Sequence, residues 1–379
     1  MSEEKLVPKL RFSGFDDEWN EVTLNDVATF SKGKGISKND ISDYGIECVR
    51  YGELYTKYNE MIYNIESKTN LDKKELKLSE KDDILIPCSG ETAIDLATAS
   101  CIQKDQVAIG GDITVIKTNQ YAPFITYYLN QKKTEIAKYA QGVSIVHLYP
   151  KDFKVMNIRI PSINEQKKII TLLEGITKKE QLLESKYQEY REFKKYLMQQ
   201  IFAQKLRFDY DMIKLKDICK INKGKQLNKD AMIENGKYYV LNGGKEPSGY
   251  TNEWNTSENT ITISEGGNSC GYVNFNTEKF WSGGHCYYLS NLHENVDDYY
   301  LYSYLKFKEE FIMRLRVGSG LPNIQKRDIE NIKIQIVSKD NQNKISNLLL
   351  SADKKINSIQ IQKENFENFK KGLLQQMFV

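Results

Sequence analysis

An α+β fold is predicted, built from two β-rich mixed domains and two long α-helices that pair with each other. Three observations predict it. One stretch of 40 residues has a coiled-coil period, the same stretch recurs at the other end of the chain, and each copy follows a segment of short alternating runs broken by glycines.

The stretch Ile163 to Phe202 contains no proline and one glycine. Alternating steps of three and four residues from Ile169 fall on Leu173, Ile176, Glu180, Leu183, Tyr187, Tyr190, Lys194, Leu197 and Ile201. Eight of these ten are apolar or aromatic, the narrow seam of a coiled coil rather than the broad stripe of a globular helix. At about 1.5 Å per residue the helix is roughly 60 Å long and cannot bury its seam alone. Its partner lies in the same chain. From Lys339 to Phe378 the pattern repeats at an interval of 176 positions: Gln342 matches Gln166, Phe369-Lys370-Lys371 matches Phe193-Lys194-Lys195, and Gln375-Gln376 matches Gln199-Gln200. The seam of this second helix falls on Ile345, Leu349, Ile356, Ile359, Phe366 and Leu373. The chain therefore divides into a globular domain over 1–160, a helix over 161–203, a second domain over 204–337 and a second helix over 338–379.

The first domain opens on Lys9-Leu10-Arg11-Phe12, and the same four residues recur as Lys205 to Phe208 directly after the first helix. The second helix ends where its own copy would follow. The N-terminus supplies that missing piece, so the two ends are expected to lie together. The domains then run in parallel. Lys32-Gly33-Lys34 matches Lys223-Gly224-Lys225, Val49 matches Val240, and further on Gly142, Asp152 and Ile158 match Gly318, Asp328 and Ile334. The middle of the second copy is shorter, so the scaffold is held while the interior diverges, as a recognition module would vary.

Strand-like runs are Asp83–Ile86, Ile113–Ile116, Thr260–Ile263 and Cys286–Leu289, and helical runs are Phe124–Tyr139 and Tyr299–Arg316. Between the strands lie candidate reading loops. The first copy offers Lys32, Lys34, Arg50, Tyr51, Ser89, Glu91, Thr92 and Asp112; the second offers Lys223, Lys225, Asn242, Lys245, Glu265, Asn268, Ser269 and His285. Their glycines permit close backbone approach to a partner, and their polar side chains are the donors and acceptors that read base edges. Each loop taken alone is also an ordinary turn, and Lys32, Lys34, Lys223 and Lys225 are either phosphate contacts or solvated turn lysines.

Composition narrows the function. The formal charge is +3, from 54 Lys and Arg against 51 Asp and Glu, so a DNA-binding role needs partners to supply phosphate neutralisation. No run of about 18 apolar residues suggests a membrane span, and no export signal opens the chain. Six scattered cysteines without a CxxC pair then read as reduced core thiols of a cytoplasmic protein, with no metal site expected. Catalytic motifs are missing. The seven prolines are never adjacent and never followed by Asp, and no Gly-Lys pair precedes Ser or Thr. His285 beside Cys286 could suggest a nucleophile and base, but neighbours in a strand point to opposite faces.

The lead-in Pro161-Ser162-Ile163-Asn164-Glu165-Gln166, the endings Leu-Met-Gln-Gln-Ile-Phe and Leu-Leu-Gln-Gln-Met-Phe, and Gly318-Ser319-Gly320-Leu321-Pro322-Asn323-Ile324 carry a resemblance over essentially the whole chain. The sequence resembles the specificity (S) subunit, HsdS, of type I restriction–modification enzymes. The first copy departs at Gly142 to Leu148, which lacks the proline, and the second helix lacks a proline-led start. These equivalent loops add Ser144, His147, Ser319 and Asn323 to the candidate DNA contacts.

The resemblance implies that each domain is a target recognition domain reading one half of a bipartite site on double-stranded DNA. It implies that the helices pack antiparallel as a spacer, which relates the domains by a pseudo-two-fold and sets them about one DNA turn, roughly 34–36 Å, apart. It also implies a non-catalytic chain with no cofactor of its own. Two modification (HsdM) subunits would use S-adenosylmethionine to methylate adenine, and restriction (HsdR) subunits would use ATP and Mg. The exposed Lys/Glu rows of the helices are where modification subunits would dock. Three other readings stand beside this one. The chain could be the recognition part of another restriction type, marked by the absence of a neighbouring modification gene. It could be a coiled-coil adaptor whose β-rich domains bind protein or glycan, marked by no salt-dependent, sequence-selective DNA binding. It could be a hydrolase using His285 and Cys286, marked by an activity that Cys286→Ala abolishes.

Overall fold

The computed structural model describes residues 7–142, 146–318, 320 and 322–379. The candidates Ser144 and Ser319 lie outside the described residues. The chain forms two compact units, one comprising Met1–Leu182 with Lys363–Val379, the other Leu183–Gln362. Each unit therefore holds one globular segment together with the start of one long helix and the end of the other. The helices themselves run Ile163–Phe202 and Lys339–Met377.

In the first unit a two-stranded antiparallel ribbon joins Asn20–Thr23 to Asn157–Ile160. A five-stranded sheet has the order Ala28–Lys32, Ile113–Thr118, Ile84–Pro87, Ser100–Ile102, Met61–Ile62. A four-stranded sheet runs Ala108–Ile109, Ile46–Val49, Ser67–Thr69, Ile41–Ser42. The second unit repeats the plan. Its ribbon joins Tyr210–Lys214 to Lys333–Val337, and a four-stranded sheet runs Lys220–Lys223, Cys286–Ser290, Thr260–Ser264, Val273–Asn276. A three-stranded sheet runs Gly249–Thr251, Tyr238–Leu241, Trp281–Ser282. The length difference between the copies falls mainly after the strand ending at Val49 or Leu241, where residues 50–83 stand against 242–259. Backbone bonding also corrects the sequence match by one position. Gly110 N–H donates to Val49 O and Gly283 N–H to Leu241 O, so Val49 corresponds to Leu241 and not to Val240.

A short helix docks each sheet onto the long helices, Ala122–Gln131 in the first unit and Asp298–Phe307 in the second. The predicted helical runs break at Lys132 and Lys308, after which short segments Lys133–Ile136 and Glu309–Arg314 follow. The endings that mark both long helices have a packing reason. Phe378 stacks on Phe124 with ring centroids 5.4 Å apart, and Phe202 meets Tyr300 and Tyr304 at 5.7 and 5.5 Å. The buried glutamine of each first turn has a second reason. Gln166 accepts from Tyr121 N–H at 3.0 Å, capping the docking helix, and donates to Gln120 Oε1 and Pro161 O. Gln342 does the same with Asp297 N–H at 2.8 Å, Asn295 O and Val337 O. Both side chains lie in the core, where an unmet amide would cost about 1–3 kcal/mol.

The chain ends meet within the first unit. Leu10 N–H donates to Gln376 O at 2.9 Å, and Leu206 N–H donates to Gln200 O at 2.9 Å in the second. The two bonds join matching residues, one across the chain termini and one through a continuous backbone. Arg11 adds a bidentate pair with buried Glu165, both bonds 2.8 Å long.

The seam residues divide by unit. Ile169, Leu173, Ile176 and Leu373 are buried in the core of the first unit beside Trp19, Phe124 and Tyr128, with Phe366 packed against it. Ile345 and Leu349 are buried in the core of the second, with Leu197 against it. The ends of both helices are thus part of domain cores as well as of a helix pair. Leu183 and Ile359 are buried, and Tyr187, Tyr190 and Ile356 half-buried. The two charged positions that interrupt the first seam are paired to the second helix. Glu180 meets Lys370 at 3.4 Å in the first unit, and Lys194 meets Asp353 at 2.6 Å in the second. Lys194 and Lys370 are themselves matching residues.

Candidate nucleic-acid interface

In each unit the loops nominated from sequence converge on one face, and glycine is the reason they can. A Cβ on Gly33 would sit 1.9 Å from Gly110 O, and one on Gly224 would sit 2.2 Å from Gly283 O. The close approach expected of these glycines is therefore to the chain's own backbone, which locks the lysine loop onto the Gly-Gly loop. Gly33 N–H donates to Ile113 O and Lys34 N–H to Ile109 O, both at 2.9 Å. Gly224 and Lys225 repeat this with Cys286 O and Ser282 O.

On the first unit, Lys32, Lys34, Tyr51, Glu91, Thr92 and Asp112 are exposed. Lys32 Nζ lies 5.3 Å above the ring of Tyr149, Lys151 Nζ lies 5.8 Å from the same ring, and the His147 ring stacks on it at 5.9 Å. His147 Nδ1 is 3.1 Å from Ser89 Oγ, and Ser89 is buried. Asp112 O accepts from Cys88 N–H at 2.7 Å, tying the Ser89 loop to the Gly-Gly loop. Arg50 is half-buried and caps the short helix Tyr51–Thr56, its backbone N–H donating to Glu53 Oε2; its Nε is buried without a partner. Thr92 has a local duty, since its hydroxyl caps the helix Ala93–Leu96 and bonds Asp95.

On the second unit the centre is a carboxylate. Glu265 Oε1 accepts from Lys223 Nζ at 2.7 Å and from Tyr287 Oη at 3.0 Å, while His285 Nδ1 lies 3.7 Å from its Oε2. Lys223, Lys225, Lys245, Asn268, His285 and Asn323 are exposed, and Ser269 is half-buried. Lys245 Nζ lies 5.5 Å from the ring of Tyr272. Asn242 is half-buried and turned inward, its Oδ1 accepting from His285 N–H at 3.2 Å, which makes it a brace for the loop. Asn323 pairs with Gly266 and Val317, as His147 pairs with Ser89 and Gln141. His147 and Asn323 thus hold one position in two copies of the same hairpin.

The two faces share a backbone plan and differ in chemistry. The first offers lysine and histidine donors around an aromatic ring. The second offers a carboxylate acceptor flanked by lysine and histidine. Amines and imidazoles address guanine O6 and N7, and a carboxylate addresses the amino group of cytosine. Tyr149, Lys151 and Tyr287 were not among the residues nominated from sequence. Tyr149 was within reach of such reasoning, because it stands two residues beyond His147 and a period of two places alternate residues on one side. His285 and Cys286 do point apart: the histidine is 64% exposed and the cysteine is buried. Burial pushes the Cys286 thiol up to about 11. No group of three or more His, Cys, Asp and Glu side chains among the described residues is placed to hold a metal ion. No helix among them is long and apolar enough to cross a membrane.

Comparison with known proteins decides the family. The profile of the type I restriction modification DNA specificity domain matches residues 16–190 and again residues 208–366. The chain belongs to that family. The two matches in tandem coincide with the two copies of the sequence duplication. A putative type I specificity subunit of Mycoplasma pneumoniae is 37% identical over 124 residues, 32% of this chain and 33% of that one. A putative type I specificity subunit of Mycoplasma genitalium is 34% identical over 141 residues, 37% of each chain. The MjaVIII specificity subunit of Methanocaldococcus jannaschii is 28% identical over 180 residues, 45% of this chain and 42% of that one. The chain therefore matches between a third and about two-fifths of the length of these curated relatives. A crystal structure of the type I restriction–modification S subunit from M. genitalium shares the fold, with TM-score 0.74 and 19% identity over 98% of this chain and 99% of that one.

Proposed function

We propose that the chain is the DNA sequence-reading subunit of a type I restriction–modification complex and is itself non-catalytic. Each unit reads one half of a bipartite site on double-stranded DNA through its converged loops. The long helices fix the number of unread base pairs between the halves, and their exposed rows dock two modification subunits. Those partners carry S-adenosylmethionine and methylate adenine in each half-site, while restriction subunits bring ATP and Mg. The work is done in the cytoplasm and away from membranes.

The observation that carries this reading is the pair of loop clusters on one conserved backbone. One hairpin position holds His147 in the first copy and Asn323 in the second, so the scaffold is kept and a side chain that would face bases is changed. A near-neutral chain fits a reader whose partners close around the duplex and supply most of the phosphate contacts. The test is selection from a randomised duplex pool by the complex reconstituted with its modification subunits, at low and at physiological salt. Enrichment of two short sequences at a fixed gap is expected. Salt-insensitive binding without sequence preference would overturn the reading in favour of a protein- or glycan-binding adaptor.

A further inference from the structure

The second unit carries a surface that its duplicate lacks. A groove of about 470 Å³ opens beside the ribbon Tyr210–Lys214/Lys333–Val337, lined among others by Met212, Phe311, Leu315, Lys308, Lys333 and the single acid Asp328. Met212 is 49% exposed and Phe311 52%. On the outer face of the ribbon Lys214 stands directly opposite Lys333. Like charges opposed across an antiparallel pair destabilise it, and neither lysine has a carboxylate partner among the described residues.

The first unit shows what this position looks like without such a surface. Its ribbon has the same register, and the counterparts of Met212 and Gln335 are Glu21 and Arg159, which form an ion pair at 3.1 Å. The counterparts of Lys214 and Lys333 are the neutral Thr23 and Asn157. The counterpart of Phe311 is Glu135, paired with Lys132 at 3.3 Å. One copy places matched charges at these positions and leaves only the apolar Val155 and Tyr139, the counterparts of Asn331 and Leu315, exposed beside them. The other leaves apolar side chains and unmatched lysines in the open, a combination that marks an interaction site.

We infer that this groove binds an acidic protein segment bearing one or two large apolar side chains, and binds it once per chain. The apolar side chains fill the space between Met212, Phe311 and Leu315, and the carboxylates relieve the opposed pair Lys214 and Lys333. A partner recognising the duplicated scaffold would engage both units. A partner seated here engages the second alone.

The probe is a fluorescein-labelled twelve-residue peptide of alternating Glu with Leu and Phe, titrated onto the full chain by fluorescence anisotropy at two salt concentrations. Saturable one-to-one binding, weakened by salt, is expected. Grafting the first unit's residues onto the second, as Met212→Glu, Lys214→Thr, Phe311→Glu, Lys333→Asn and Gln335→Arg, lowers affinity by about tenfold or more. Four of the five positions are exposed and Gln335 is half-buried on a shared scaffold, and a thermal melt checks that the graft folds. The reverse graft, with Glu21→Met, Thr23→Lys, Glu135→Phe, Asn157→Lys and Arg159→Gln, creates a second site and a two-to-one stoichiometry. Absence of saturable binding, two sites on the unaltered chain, or affinity indifferent to the graft would each overturn the inference. Displacement of the peptide by random-sequence duplex that the graft abolishes would overturn it in favour of a DNA-backbone contact. None of these outcomes depends on which bases the loops read.

Discussion

Replacing Gly33 by alanine tests whether the lysine loop is locked to its neighbour by backbone contact. The new Cβ would lie 1.9 Å from Gly110 O and 2.7 Å from Ile109 O, so the loops must part by more than 1 Å. Both obstacles are backbone atoms and cannot rotate away. Parting them breaks the 2.9 Å bond from Lys34 N–H to Ile109 O. Overpacking costs about 1–3 kcal/mol and the lost bond about 1 kcal/mol more. A loss of about 3 kcal/mol lowers the melting temperature of a unit of this size by roughly 6–12 °C. Gly35, two residues on, has nothing within 4 Å of its added Cβ, so Gly35→Ala is the matched control and should leave stability unchanged or slightly raised. The assay is a thermal melt followed by binding to DNA carrying both half-sites or either one alone. Gly33→Ala should weaken reading of the first half-site while sparing the second, and Gly224→Ala, whose Cβ would meet Gly283 O at 2.2 Å, should do the reverse. Equal behaviour of Gly33→Ala and Gly35→Ala would refute the reasoning.

Three further outcomes are expected. Gln342→Leu removes three buried hydrogen bonds and should cost about 3 kcal/mol in chemical denaturation, with Gln166→Leu costing a similar amount. Lys194→Met should cost about 1 kcal/mol, since Lys194 and Asp353 are 16% and 29% exposed and salt screens them, and Asp353→Asn should recover part of that loss in a double-mutant cycle. Burial pushes the thiols of Cys101 and Cys219 from an ordinary 9.0 up to about 12, and the phenols of Tyr239 and Tyr304 from 10.0 up to about 12. The folded chain holds these protons more tightly than the unfolded one. Stability is therefore complete below about pH 9 and falls as pH rises toward 12, while iodoacetamide at pH 8 should label the six buried cysteines only after unfolding.

The architecture was legible because its signals are periodic. The seam from Ile169 to Ile201 and its copy at an interval of 176 positions come from side chains that must be buried at regular steps, and regular steps survive in a sequence. The four Lys-Leu-Arg-Phe residues at each domain start gave away the meeting of the termini, seen as the bond from Leu10 to Gln376. Three-dimensional convergence was not legible. Nothing in the order of residues says that Gly33 faces Gly110, or that Glu265 gathers Lys223 from one segment and His285 and Tyr287 from another. Thr92 and Asn242 illustrate the other limit. Both are polar loop residues of the kind that reads bases, and both are committed to the backbone beside them, Thr92 as a helix cap and Asn242 as a brace. The one-position slip at Val49 arose because Val240 and Leu241 are adjacent, apolar and both buried, so residue type alone does not say which of them matches.

Methylome sequencing of a methylation-deficient host expressing this chain with its modification subunit tests the central claim most directly. One new motif of two short half-sites at a fixed gap, with adenine methylated on opposite strands, is the expected result. No new methylation, with both proteins present and associated, would contradict it.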